Sequence, residues 1–187
     1  MNYYYVIASL PMLFFGEPPP FSAAEWRRQL RGVLSDEDLA QVEAFLDQRP
    51  LPGNRFYEQW QLRIIQLQNA IARARAARLG VEVHPYLKEH PGFDVAIQNA
   101  VTHAFTKDNP LEREMELDRC RWQIADELAR PHPFGIERLF AFALQLRIAE
   151  RWAALREEAG LRIVAEFIGR HARWTPEGYQ PPSARTP

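Results

Sequence analysis

The feature that most constrains the fold is a long stretch of helical periodicity between residues 55 and 79. Its apolar residues recur at alternating spacings of four and three, which fits one face of an α-helix; they are Trp60, Ile64, Leu67, Ile71 and Ala74. A helix of 25 residues is about 37 Å long at 1.5 Å per residue. Gly80 follows at the position where a helix commonly stops. The pattern therefore predicts a long helix that packs against at least one other helix.

Capping signals and proline breaks predict further helices on both sides of this one. Ser22 with Glu25 is a capping box, and Ser35 with Asp38 repeats the signal. The predicted helices cover about residues 23–33, 36–47, 93–106 and 110–128, followed by a second long helix whose apolar stripe runs from Phe140 to Ala159. Strand signals are weak, because residues 3–10 favour strand by composition but lack alternation.

These elements predict an all-α fold, an elongated helical bundle with two long helices. A compact chain of 187 residues has a radius of gyration of about 16 Å, which suits an elongated body better when one helix is about 37 Å long. We expect one helical domain over residues 1–174, with a subdivision near 80–92 as an alternative. The proline-rich residues 175–187 are expected to be a disordered tail.

An uncharged run opens the chain and crowds aromatic and apolar side chains into residues 1–16. It is shorter than the roughly 20 residues of a membrane helix, contains Pro11, and lacks the basic start of a signal peptide. We therefore expect no direct membrane span. Two interpretations of the run remain open, a terminus tucked into the core or a surface for a partner that includes Phe14 and Phe15.

Residues that could carry chemistry are sparse and scattered. The five histidines form no zinc-binding spacing, and no P-loop, nucleophile elbow or dinucleotide fingerprint is present. Cys120 lies between two arginines that would lower a thiol pKa, but a structural cysteine on a helix edge is the favoured interpretation. The acidic run Glu112, Glu114, Glu116 and Asp118 is interpreted as a solvated helix face. We therefore expect a non-enzyme without cofactor or metal.

Charge is balanced overall, at −1, but is segregated along the chain. Residues 17–47 carry seven acids and three bases, whereas residues 55–79 carry five arginines and one glutamate. Arginine forms planar, forked hydrogen bonds and suits protein interfaces, although a GC-rich genome would also raise its frequency. Arg73, Arg75 and Arg78 are the predicted polar contacts to an acidic protein surface. Nucleic-acid binding is disfavoured, because no aromatic platform accompanies them.

Two stretches carry a family resemblance. They are NYYYVIASLP (residues 2–11), and PFGIE (133–137) leading into FAFALQLRIAERW (140–152). Both resemble a bacterial family of unknown function that is encoded beside V/A-type ATPase genes. The second stretch also resembles, more distantly, the C-terminal helix of the C-type stalk protein of V/A-type ATPases, the eukaryotic d-type. The resemblance implies a shortened form of that stalk protein, which is usually longer than 300 residues.

The role implied by this resemblance is mechanical. The C-type stalk protein caps the membrane rotor ring, seats the central shaft and binds no nucleotide. The expectation is therefore a non-catalytic central-stalk or rotor-adaptor subunit of a bacterial V/A-type ATPase, cytoplasmic and peripheral to the inner membrane through its complex. Its expected partners are other stalk subunits and the membrane ring.

Two further hypotheses follow from the residues alone. The first is an independent helical interaction module, with a homodimer formed through residues 1–15 or through the face that contains Trp60. The second is a helical enzyme with a dispersed site around His103, Glu112 or Cys120, which the missing motifs disfavour.

Overall fold

A computed structural model describes residues 3–155, which are all-helical and contain no strand. Seven α-helices lie within this part of the chain: α1 (Tyr4–Ala8), α2 (Ala23–Leu30), α3 (Asp36–Leu46), α4 (Arg55–Leu79), α5 (Val95–Ala104), α6 (Pro110–Ala129) and α7 (Ile136–Ala154). A short 3₁₀ turn, His84–Tyr86, lies between α4 and α5. The all-α prediction is confirmed. Residues up to Ala153 pack into one compact unit, whereas the expected boundary at 174 and the expected tail lie outside the described residues.

The helices begin where short polar side chains satisfy free backbone N–H groups. Ser22 and Glu25 form the predicted capping box at the start of α2, and Ser35 accepts from the Asp38 N–H at the start of α3. Asn54 caps α4 and Asp94 caps α5 in the same way. Because these bonds involve residues only two or three apart, the helix starts can be predicted from local sequence.

One hydrophobic core, here called the aromatic core, joins α2, α3, α7 and the first turn of α4. It is built around five buried aromatic side chains, Trp26, Phe45, Phe56, Phe140 and Phe142. The Phe45 and Phe140 rings stack with centroids 4.5 Å apart, and the Trp26 and Phe142 rings lie 4.7 Å apart. The opening segment packs on this core through Tyr3, Val6, Ile7, Leu10 and Leu13.

A second core, here called the aliphatic core, joins the later part of α4 to α5 and α6. Its buried members are small or aliphatic: Leu67, Ala70, Ile71, Ile97, Val101, Ala104, Leu117, Cys120 and Ile124. Two half-buried side chains, Trp60 on α4 and Leu128 on α6, pack against both cores. The face predicted from the periodicity of α4 is therefore occupied within this chain.

Two predicted helix boundaries need correction. The helix expected from residue 93 begins at Val95, and Phe93 is exposed. The reason is Asp94, whose carboxylate accepts from the N–H groups of the second and third helical residues and starts the helix there. The helix expected to reach residue 33 ends at Leu30, because the backbone of Arg31 is extended.

The described helices agree with the expectation of no direct membrane span. No helix among residues 3–155 combines the length and the apolar character that a membrane crossing requires.

Candidate interaction surface

The end of α4 presents apolar side chains to solvent. Gly80 adopts a left-handed conformation with φ 66°, and the N–H groups of Gly80 and Val81 both donate to the Ala76 carbonyl. This cap stops the helix and leaves Leu79 and Val81 exposed. The chain then turns back along α4 instead of continuing away from it.

The returning connection is fastened to α4 by a buried amide. Asn69, almost completely buried on α4, donates from Nδ2 to the Lys88 carbonyl at 2.7 Å. The Lys88 N–H in turn donates to Asn69 Oδ1 at 3.0 Å. Gln66, one turn earlier, donates to the Pro91 carbonyl at 3.3 Å. These bonds hold the connection in one conformation, because a buried amide without partners would destabilise the fold.

Large apolar side chains project from this fastened connection. Tyr86 and Phe93 are each 70% exposed, and Val95 at the start of α5 is 60% exposed. With Leu79 and Val81 they define what we call the α4–α5 surface. Single exposed apolar residues are ordinary, but five large ones within seventeen residues are the type of patch that marks a protein contact.

The three predicted arginines lie around this surface but not on one face. All are exposed, and none forms an ion pair with a described residue. Arg73 lines a concavity with His84, Lys88 and Phe93. At 3.6 residues per turn, Arg75 and Arg78 are about 60° apart around α4, whereas Arg73 lies on nearly the opposite side. Only Arg73 therefore adjoins the connection directly.

Phe14 and Phe15, the other predicted contacts, differ in environment. Phe14 is 60% exposed. Phe15 is half-buried, with its ring edge-to-face against Trp122 at 5.7 Å and the Arg119 guanidinium carbon 4.5 Å from its centroid. Phe15 therefore attaches the opening segment to α6, and Phe14 remains available to a partner.

The opening segment satisfies both interpretations that the sequence left open. Tyr3 donates from its hydroxyl to Asp38 Oδ2 at 3.0 Å, and burial together with this carboxylate raises the pKa of Tyr3 to about 12. Tyr4 lies against Phe134, whereas Tyr5 is 84% exposed. One side of the segment is thus packed on the core while the other faces solvent.

The scattered residues of the enzyme hypothesis are not assembled into a site. His103 and Glu112 are exposed, and eight residues of helix, about 12 Å, separate Glu112 from Cys120. Burial raises the pKa of the Cys120 thiol to about 11, in spite of the neighbouring Arg121 charge. Among residues 3–155, no group of three His, Cys, Asp or Glu side chains is placed to hold a metal ion.

The interpretation of the acidic run as a solvated face is wrong for Asp118. This side chain is 1% exposed and lies between α6 and α7. Asp118 Oδ2 accepts from Arg151 Nη1 at 2.8 Å and from the Trp152 indole N–H at 3.0 Å, and Oδ1 accepts from Arg121 Nη1 at 2.5 Å. Glu114 accepts from both arginines. The buried charge is tolerated because every partner is a donor.

Sequence reasoning missed the α4–α5 surface for an identifiable reason. Phe93 has helical spacing with Ile97 and Val101, and this spacing predicts a buried face. The contrary signal is Asp94, a good N-cap preceded by Pro91-Gly92, which places Phe93 outside the helix. For Tyr86 no local pattern distinguishes an exposed from a buried position.

These observations describe an all-helical protein whose described residues carry an exposed, ordered apolar surface. Residues 98–173 are similar to DUF2764, a family described as a protein of unknown function. The match includes most of α5 together with α6, α7 and the second of the two stretches singled out in the sequence. Comparison with curated proteins and with solved structures finds no match.

Proposed function

We propose that this protein is a non-catalytic subunit that joins other proteins, docking through its α4–α5 surface. The observation that carries the proposal is the set of exposed apolar side chains on a connection that Asn69 holds in place. A surface that is already ordered loses little conformational entropy on binding, which favours a stable contact. Tyr86 and Phe93 are the proposed anchors, because aromatic side chains contribute strongly at interface centres.

The proposed setting is the central stalk of a bacterial V/A-type ATPase, where the protein would act as a rotor adaptor on the cytoplasmic side. This part of the proposal rests on the resemblance of residues 2–11 and 133–152. Two properties support it: a 25-residue helix as a stiff element, and a buried ionic cluster that fixes α7 to α6. A subunit that transmits torque needs stiff helices and shaped contacts instead of a reactive side chain.

Affinity purification of the tagged protein from its host, in mild detergent and with mass spectrometry, tests the proposal. We expect stalk and ring subunits in near-stoichiometric yield. A variant with Tyr86→Ser and Phe93→Ser should lose them while keeping its circular dichroism spectrum, because both side chains are 70% exposed. Recovery of this protein without ATPase subunits would refute the stalk assignment, and undiminished recovery with the variant would refute the docking surface.

The arginines are tested separately by charge reversal. Arg73→Glu, Arg75→Glu and Arg78→Glu together should weaken docking, with a change in the free energy of unfolding below about 0.5 kcal/mol. The matched control reverses Arg28, Arg31 and Arg55, which are also exposed but lie away from the α4–α5 surface. Equal binding by the two triple variants would remove the arginines from the interface.

A second candidate function is self-association through the opening segment. The observation that favours it is the exposure of Tyr5, Met12 and Phe14 on a segment whose other side is packed. Sedimentation equilibrium of the purified protein distinguishes the two. A dimer that is lost in a Tyr5→Ser, Phe14→Ser variant would support self-association, and a monomer at high concentration would exclude it.

A further inference from the structure

A cavity of about 340 Å³ lies beneath the opening segment, between α6 and α7. Trp122 and Asp126, four residues apart, line it from α6. Phe142 and Gln145 line it from α7, and the segment from Ile7 to Leu13 covers it. Its volume is at the lower end of the range for small-molecule sites, and its walls combine apolar side chains with a few polar groups, as such sites do.

Gln145 is the unusual member of this lining. It is 4% exposed, yet no hydrogen bond joins its carboxamide to any described residue. A buried amide with neither donor nor acceptor satisfied destabilises a fold, so such side chains are rare. Asn69 shows the ordinary case, because its amide is similarly buried and is bonded on both sides.

The rim of the cavity is electrically neutral. Asp126 Oδ1 and Arg138 Nη1 form an ion pair at 2.7 Å, and both side chains are partly exposed. Their charges offset each other at the entrance, while Phe142 and Gln145 lie deeper and are buried. An occupant with a net charge therefore gains nothing specific here, and an uncharged one is favoured.

We propose that this cavity binds a small, uncharged molecule whose apolar body carries one amide-like edge. The apolar part would contact Trp122, Phe142 and Leu13. The edge, with a donor and an acceptor side by side, would form two hydrogen bonds with the Gln145 carboxamide, which offers the same pair. This site is separate from the α4–α5 surface and does not depend on the stalk assignment.

Benzamide is a suitable probe, and acetophenone is its control because it has a similar shape and an acceptor but no N–H donor. In ¹H–¹⁵N spectra of the full chain, benzamide should shift the Gln145 side-chain signals in a saturable way. Acetophenone should bind about tenfold more weakly, since a hydrogen bond of about 1.4 kcal/mol corresponds to that factor. Binding by a capped peptide but not by benzamide would refute a small-molecule site.

The Gln145→Met variant keeps the side-chain shape and removes both polar groups. It should weaken benzamide binding by at least about tenfold, leave acetophenone binding nearly unchanged, and raise the melting temperature, because it removes an unpaired buried amide. Gln123→Met, at an exposed position of α6 outside the cavity lining, is the matched control and should change none of these.

The proposal fails if benzamide gives no saturable shift, if Gln145→Met binds it as well as the wild type does, or if that variant melts at a lower temperature. Should Gln145→Met not fold, Leu13→Trp gives an independent test. Leu13 lies on the covering segment and is half-buried, so a larger side chain there should fill the cavity and abolish benzamide binding without altering α7.

Discussion

The aromatic core and the aliphatic core are assembled in opposite ways. The aromatic core brings together residues from the two ends of the described chain, and Trp26 meets Phe142 across more than a hundred residues. The aliphatic core is formed by three consecutive helices, α4, α5 and α6, and its buried members all lie between Leu67 and Ile124. The first core therefore depends on long-range closure, and the second on successive helical hairpins.

The difference in composition follows from this difference in assembly. Large aromatic rings bury more apolar surface per residue, which offsets the entropy lost when distant segments meet. Consecutive helices lose less entropy on pairing, so alanines and short aliphatic side chains suffice, and they allow close approach. The residues that contact both cores, Trp60 and Leu128, link the two into one unit.

The comparison is tested most strongly by truncating one side chain in each core. Phe140→Ala should lower the free energy of unfolding by about 3–5 kcal/mol and Leu67→Ala by about 2–5 kcal/mol, with the larger loss for Phe140. The reason is that the Phe140 ring contacts both Phe45 and Phe56. Urea unfolding measures both, and a smaller loss for Phe140→Ala would contradict the greater dependence on the aromatic core.

The next effect concerns the ionic cluster that joins a helix of the aliphatic core to a helix of the aromatic core. Asp118→Ala should cost about 3 kcal/mol, because it leaves Arg121, Arg151 and the Trp152 N–H without their buried acceptor. Glu116→Ala, on the same helix, removes a half-exposed carboxylate 3.6 Å from Arg119 and should cost less than about 1 kcal/mol. Similar losses in urea unfolding would mean that the cluster contributes no more than a surface pair.

The smallest effect is measured by the reactivity of Cys120, which reports opening of the aliphatic core. At pH 8 its alkylation by iodoacetamide should be at least about a thousandfold slower in the native protein than in urea, because the thiol is buried. The native pKa of about 11 lies above the ordinary value of 9.0. The stability linked to the neutral thiol is therefore present below about pH 9 and is lost as the pH rises toward 11.

The same reaction shows whether the two cores open together. If they do, Phe140→Ala and Leu67→Ala should accelerate alkylation in proportion to their losses of global stability. Acceleration by Leu67→Ala alone would show that the aliphatic core opens by itself and that Trp60 and Leu128 do not make the unit cooperative.

Much of the helical framework could be predicted, because its signals are local. The capping box at Ser22, the proline at the start of α6 and Gly80 after α4 each act over one helical turn. The exposure of Arg73, Arg75 and Arg78 follows from their place among the polar positions of α4. Phe93 is misplaced by its spacing, which is compatible with both a helix face and a residue before the cap.

By itself, the sequence determined that this chain is helical, where most of the helices begin, and which faces of α4 and α7 are apolar. Only the tertiary structure decided that Asp118 is buried among donors, that Gln145 is buried without one, and that residues 79–95 display their apolar side chains outward. The physical reason is range. Caps and periodicity act between residues a few positions apart, whereas the burial of a polar group depends on which distant helix packs against it.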